Sequence, residues 1–172
     1  FLRSVGYTGM AFNEVDEGAE ELLREFDVDG DDKLSFSVST RPILGKTEGE
    51  AWDRAHEILA EIERRTGGGA GNRVGKGPQN IGSQRLLDAA DKQAVYDSCL
   101  YMALATASGA RGNSTALVGT PETVAEAMGA YYDIGAKSLL IRGYDPLPDA
   151  LEYGQELIPR VRALVAERDA AK

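Results

Sequence analysis

The sequence is poor in the residues that build disulfides and metal sites. Its 172 residues include one cysteine, Cys99, and one histidine, His56. A single cysteine excludes an internal disulfide and is typical of a reducing compartment, so we expect a cytoplasmic protein in which Cys99 is a packed helix residue. His56 has no second histidine with which to form a metal site, and we expect a solvated helix position for it.

Long apolar runs and positive charge are also scarce. No apolar stretch approaches the roughly 20 residues that a transmembrane helix needs. Acidic residues outnumber basic ones by 28 to 19, which gives a net charge of −9. Such a protein is repelled by nucleic acids and by anionic membranes, so we expect neither as a partner. The hydrophobic content of 42% is ordinary for a globular protein, and the length suits a single domain over residues 1–172.

Strands and helices alternate along the chain. Apolar residues that recur every two positions indicate a strand, and apolar residues that recur every three to four positions indicate a helix. They predict strands at 6–12, 34–44 and a short buried one at 138–141, and helices at 17–26, after Thr47, at 82–91, 93–107, after Thr120 and at 147–168. Three strand–helix repeats indicate an α/β fold with parallel strands, the arrangement of a (β/α)₈ barrel.

Local signals fix several helix ends. Thr47 with Glu50 forms a capping box. Thr120 precedes Pro121 and an acidic first turn, which predicts a helix start, and Gly135 predicts its end. Pro159 should kink or interrupt the last helix.

Tyr144 follows the last predicted strand directly. Chemistry in parallel barrels is carried at the carboxyl ends of the strands, where a phenol can donate a hydrogen bond or a proton. The structural alternative is a tyrosine that packs at the barrel rim.

The polar loop at 109–115 contains Arg111 and Asn113. An arginine in such a loop can bind a sulfonate or phosphate through two hydrogen bonds. A solvated loop cation is the alternative interpretation.

Ser39 and Arg41 end the strand at 34–44. Their spacing of two directs both side chains to one face of the sheet, which we expect to be the barrel mouth. Pro42 follows at once and is consistent with the end of a strand.

Residues 66–96 form a candidate insertion. It begins with the glycine-rich stretch 67–77, which cannot bury enough apolar surface to order itself and is expected to be mobile. Gln84 and Arg85 stand just after it, in a Gly-x-Gln-Arg pattern that resembles the lid segment of the alkanesulfonate monooxygenases. The resemblance implies a lid over the site, and a surface loop is the alternative.

Two further motifs are incomplete. Gly75-Lys76 suggests a phosphate-binding loop, but Ala70 and Gly77 replace required residues and the segment follows a helix. Aspartates at 27, 29 and 31 suggest a calcium loop, but the turn glycine and the final glutamate are missing.

The segments 117–125, 141–147 and 82–86 together resemble the alkanesulfonate monooxygenases of the bacterial luciferase superfamily. The resemblance extends over about 34–159 and implies the C-terminal portion of a luciferase-type (β/α)₈ barrel with a lid. Other strands would precede Phe1, and activity would require that N-terminal part.

This resemblance also implies a chemistry. Such enzymes use reduced FMN, supplied by a separate NAD(P)H-dependent flavin reductase, and O₂ to convert an alkanesulfonate into an aldehyde and sulfite. The flavin supplies the redox chemistry, and the protein orients and shields it.

Residue by residue, the resemblance implies that Tyr144, in the pair Gly143-Tyr144, is the active-site tyrosine, and that Arg111 lies beside the position of a mobile-loop arginine. The sequence has Ser39 where the family has arginine, and Arg41 where it has histidine.

That departure motivates an alternative, a non-catalytic or partner-dependent barrel fragment that packs on another chain. Exposed sheet edges also predict self-association into a homo-oligomer.

Overall fold

The computed structural model describes residues 36–66, 81–97, 99–110 and 115–171. The predicted strand at 6–12, the helix at 17–26, the aspartates at 27, 29 and 31 and the glycine-rich stretch at 67–77 lie outside these ranges. In the described part of the chain, no helix is both long enough and apolar enough to cross a membrane.

Five strands and six helices follow one another in these ranges. In chain order they are β1 Phe36–Leu44, α1 Glu48–Thr66, α2 Ile81–Lys92, β2 Val95–Tyr96, β3 Leu100–Tyr101, α3 Ala103–Ser108, β4 Ala116–Gly119, α4 Pro121–Asp133, β5 Ala136–Ile141, α5 Pro146–Glu152, a π-helical turn Tyr153–Leu157, and α6 Ile158–Ala170.

One mixed sheet joins the strands in the order β2-β3-β4-β1-β5. β1 is central and runs parallel to both neighbours: residues 36–40 pair with β5, and residues 41–44 pair with β4. β2 and β3 form a short antiparallel hairpin that extends the sheet beyond β4. The predicted α/β class with parallel strands is confirmed, and the complete barrel remains a prediction.

Side chains of β1 alternate between two apolar clusters, as the period of a strand requires. Val38 and Leu44 belong to the first cluster, with α4 and the π-helical turn. Ile43 lies on the opposite face and packs in the second cluster against Ala51 and Ala55 of α1. Helices therefore cover both faces of the sheet.

The predicted helix starts and the end at Gly135 are confirmed, but the capping box is only half formed, because Glu50 Oε2 accepts the N–H of Lys46, one residue before Thr47. Thr47 Oγ1 accepts the backbone N–H of Glu50 at 3.2 Å, and Thr120 Oγ1 accepts that of Thr123 at 3.3 Å. Gly135 follows α4 with φ of +102°, a backbone conformation that favours glycine.

The predicted helix at 93–107 is wrong in its first half. The paired strands β2 and β3 lie there instead, and the helix is shortened to α3. Cys99 is consequently a buried turn residue, not a helical one. The backbone hydrogen bonds of β3 to β4 stabilise the hairpin, and this long-range pairing overrides the local helical pattern.

Two strands also differ from expectation. β4 was not predicted, because four apolar residues are too few to show a period. β5 was predicted to be buried, and this is wrong. Among the described strands it lies at the edge of the sheet, bonded to β1, and Leu140, in register with Ser39, is 52% exposed.

The predicted interruption by Pro159 is confirmed as a π-helical turn. The N–H of Ile158 bonds to the carbonyl of Tyr153, five residues back. Proline offers no N–H to the carbonyl four residues before it and clashes with that carbonyl in an α-helix. The wider turn before Pro159 relieves this clash.

Leu157 and Leu151 allow a matched test of the first cluster. Leu157 is fully buried, whereas Leu151, six residues earlier, is 57% exposed. We expect Leu157→Ala to lower the free energy of unfolding by about 2–5 kcal/mol, because it removes buried methyl groups and leaves a cavity. Leu151→Ala should change it by about 0.5 kcal/mol or less. Urea denaturation measures both, and equal losses would contradict the assigned core.

Candidate active site

The carboxyl end of β5 lies beside the interior of β1, where Thr40 pairs with Ile141. The expected strand end at Pro42 is wrong, because β1 continues to Leu44 and Pro42 is in register with Leu117 of β4. The N–H of Arg142 donates to the carbonyl of Thr40 at 3.2 Å and continues the pairing past the end of β5. Arg41 Nη1 donates to the carbonyl of Gly143 at 3.1 Å. The Arg41 guanidinium also lies 5.2 Å from the centre of the Tyr144 ring. Two of the residues predicted as catalytic, Arg41 and Tyr144, are thus in contact.

The Tyr144 hydroxyl is buried and has no hydrogen-bond partner among the described residues. Its ring packs beside the second cluster, next to the apolar face of α1. Burial raises the pKa of Tyr144 to about 12, and the charge of Arg41 opposes this shift. The phenol is therefore a neutral hydrogen-bond donor at ordinary pH, with its donor capacity unused.

Asp149 holds the chain on either side of this ring. Its carboxylate is 1% exposed and accepts the backbone N–H groups of Tyr144 at 2.7 Å and Asp145 at 3.0 Å. A Cβ atom at Gly143 would overlap the same carboxylate. The glycine is required here by close approach, because any larger residue would displace Asp149.

Arg54 of α1 balances this buried charge. It donates to Asp149, to Glu152 at 3.1 Å and to the carbonyl of Leu44 at 3.2 Å. Burial opposes its charge, but Asp149 and Glu152 outweigh that effect and raise the pKa of Arg54. The guanidinium therefore joins the end of β1 to the turn that carries Tyr144.

Tyr153 makes a second link to β1. Its hydroxyl donates to the carbonyl of Pro42 at 2.5 Å, and both residues are buried. Burial raises the pKa of Tyr153, so the phenol remains a donor. The bond fixes the π-helical turn against the residue that follows Arg41.

A cleft of about 440 Å³ opens beside Tyr144 and Asp145. Its other wall is α1, from Arg54 to Arg65. The basic groups of this wall are paired: Arg65 with Glu61 at 2.6 Å, and Arg54 with Asp149 and Glu152. The cleft gives a small molecule access to the outer side of Tyr144.

The other predicted site residues are more dispersed. Ser39 is half-buried on the face of β1 that carries Arg41. Gln84 is exposed and Arg85 half-buried on α2, which leads into the hairpin at the edge of the sheet opposite β5. Arg111 and Asn113 lie outside the described residues.

One contact connects the two predicted loop elements. Ser83 Oγ, next to Gln84, donates to the carbonyl of Ala110 at 3.1 Å. Ala110 has φ of +53°, a strained conformation for a residue with a side chain. The start of α2 thus touches the chain directly before Arg111.

The N-terminus of α4 is already satisfied by a carboxylate. Glu48 Oε1 accepts the N–H of Thr120 at 3.2 Å and the hydroxyl of Thr123 at 2.6 Å. The Thr123 hydrogen bond is the main cause of the lowered pKa of Glu48. Helix starts in barrels often bind phosphate, but here these donors are already occupied.

The sequence matches a family of known proteins. The family model described as luciferase-like monooxygenase matches residues 4–138. The chain belongs to the luciferase-like monooxygenase family. Members of this family are generally flavin-dependent oxidoreductases.

The family match includes some site residues and stops short of others. It spans Ser39, Arg41, Gln84 and Arg85 and ends within β5, before Tyr144. Tyr144 therefore lies outside the matched residues but contacts Arg41, which lies within them. Across the described ranges, no cluster of three potential metal ligands is present.

Asp149 and Arg54 are the site residues that sequence reasoning missed. One signal in the sequence does point to Asp149. It lies in the first turn of a helix, where a carboxylate is favoured because it can accept the N–H groups of the preceding loop. Its partner Arg54 is 95 residues away in sequence and carries no such signal.

The two buried tyrosines allow a matched test of the unpartnered hydroxyl. Tyr144→Phe should change the free energy of unfolding by about 0.5 kcal/mol or less, because no hydrogen bond is lost. Tyr153→Phe should cost about 1–3 kcal/mol, because it leaves the Pro42 carbonyl without its donor. Urea denaturation at pH 7 compares the two variants. If Tyr144→Phe lowered the free energy of unfolding as much as Tyr153→Phe does, the Tyr144 hydroxyl would be hydrogen-bonded.

Alkaline pH should reveal the burial of Tyr144. Folding raises the pKa of the Tyr144 phenol from about 10 to about 12. The neutral phenol therefore makes its full contribution to the free energy of unfolding below pH 10. This contribution, about 2 kcal/mol, is lost as the pH rises towards 12. Tyr144→Phe should therefore lose less stability than the unmodified chain between pH 9 and pH 11.5. Identical losses in the two proteins would show that Tyr144 is not buried.

Proposed function

We propose that the protein is a monooxygenase that uses reduced FMN and O₂ to cleave the C–S bond of an alkanesulfonate, with an aldehyde and sulfite as products. The single observation that carries the proposal is Tyr144 beyond the end of β5: its buried hydroxyl has no partner among the described residues, and its ring lies against Arg41. A separate NAD(P)H-dependent flavin reductase is the proposed source of reduced FMN, and a homo-oligomer is the proposed assembly.

The chemistry of the described site fits the reacting end of such a complex. Tyr144 offers an unused donor, and Arg41 offers a cation beside it. Reduced FMN, when bound, would supply the electrons that activate O₂. The N-terminus of α4 does not fit the flavin phosphate, because Glu48 occupies its donors.

Each residue then has a role that its chemistry supports. Arg41 attracts the anionic sulfonate, and Tyr144 donates a hydrogen bond to a developing negative oxygen. Gln84, Arg85 and Asn113 are the proposed lid residues, which would exclude water, and Ser39 is a proposed substrate contact. Arg111 is a proposed catalytic residue that would bind the sulfonate. The contact of Ser83 with Ala110 supports this grouping, because it brings the two segments together.

A partner-dependent barrel fragment is the second candidate. Three leucines near β5 support it: Leu140, Leu147 and Leu151 are 52%, 70% and 57% exposed. An apolar surface at a sheet edge favours packing against another strand or chain. In this case the chain alone would not turn over substrate.

The test is sulfite release by the full-length polypeptide. It is supplied with FMN, NADH, a flavin reductase, O₂ and a series of linear alkanesulfonates. We expect sulfite in proportion to NADH consumed above the uncoupled background. We expect Tyr144→Phe to lower kcat at least about 10-fold, because a donor in the transition state is lost. Tyr132→Phe removes the hydroxyl that bonds Asp169 on the far side of α4 and should retain the original rate.

Three outcomes separate the hypotheses. Sulfite release that depends on Tyr144 supports the proposal. Reduced-flavin binding and O₂ consumption without sulfite would keep a monooxygenase and reject the sulfonate. No flavin binding by the full-length polypeptide would favour the partner-dependent fragment.

A further inference from the structure

We propose that Asp149 is a positioning residue, whose buried carboxylate holds the main chain of residues 143–145 so that the Tyr144 phenol stands against Arg41. Asp149 does not touch the cleft, and it acts through Tyr144. The catalytic part of this inference rests on the proposed function, whereas the positioning part does not.

The contacts of the carboxylate are with the turn itself. It accepts the N–H groups of Tyr144 and Asp145, which both precede the first residue of α5. It lies against Gly143, where no Cβ atom fits. Gly143 in turn gives its carbonyl to Arg41. One carboxylate therefore fixes the three residues that set the direction of the Tyr144 ring.

Arg54 links the carboxylate of Asp149 to β1. The guanidinium donates to Asp149 and also to the carbonyl of Leu44 at the end of β1. Removal of either partner would leave the other charge without full compensation. Arg54 thereby fixes the turn that carries Tyr144 relative to β1, the strand that carries Arg41.

The chain provides a matched control. Glu152 is also a partner of Arg54, at 3.1 Å, and it lies three residues after Asp149 on the same helix. It makes none of the backbone contacts that Asp149 makes to the turn. Asp149→Asn and Glu152→Gln each remove one negative partner of Arg54, but Asp149→Asn alone disturbs the acceptor of the Tyr144 N–H.

The experiment measures the titration of Tyr144 directly. Tyrosine is labelled with ¹³C in the full-length protein, and Tyr144→Phe identifies the Tyr144 resonance. We expect the titration of Tyr144, near pH 12 in the unmodified chain, to move at least one pH unit towards the ordinary tyrosine range in Asp149→Asn. Glu152→Gln should leave it within about 0.3 unit. In the sulfite assay, Asp149→Asn should lower kcat about 10-fold with KM changed less than about 3-fold.

A second variant covers the case in which Asp149→Asn does not fold. Gly143→Ala keeps the carboxylate and Arg54 but places a methyl group in their space, and it should shift the Tyr144 titration in the same direction. An unshifted titration in folded Asp149→Asn or in Gly143→Ala overturns the inference. Absence of turnover in the unmodified enzyme rejects the proposed function instead, and the titration still decides the positioning role.

Discussion

A single buried carboxylate, that of Asp149, connects the parts of the site. An ionised carboxylate away from water is costly unless hydrogen bonds and an opposite charge compensate it. Asp149 has both, from two backbone N–H groups and Arg54. These compensating groups come from α1 and from the turn after β5, and Arg54 also donates to the carbonyl of Leu44 at the end of β1. The requirement to satisfy one charge thus brings three distant segments to one place.

The sheet and most of its helices could be predicted from sequence because their signals are local. The cap at Thr47, the start at Thr120-Pro121 and the left-handed Gly135 each depend on residues a few positions apart. The β2–β3 hairpin, β4 and the exposure of β5 could not, because each depends on pairing with strands remote in sequence. A two- to four-residue strand has no period to detect.

The same distinction applies to the site. Tyr144 could be anticipated because it follows the end of β5, and Arg41 because β1 runs parallel to β5 and is paired with it up to Thr40. Asp149 and Arg54 could not, because a buried ion pair is recognised only after the fold brings α1 and α5 together. The family match did not supply Asp149 either, since it ends before Tyr144.

The π-helical turn has a consequence for the alignment of buried residues. Asp149, Tyr153 and Leu157 recur every four residues and are all buried. In a regular α-helix a step of four overshoots one turn by about 40°, so successive side chains drift around the axis. The wider turn at 153–157 corrects this drift before α6 begins. Removal of one residue there would restore a regular helix but rotate everything after it by about 100°. The length of this segment, and not its composition alone, keeps the last helix in phase with the first cluster.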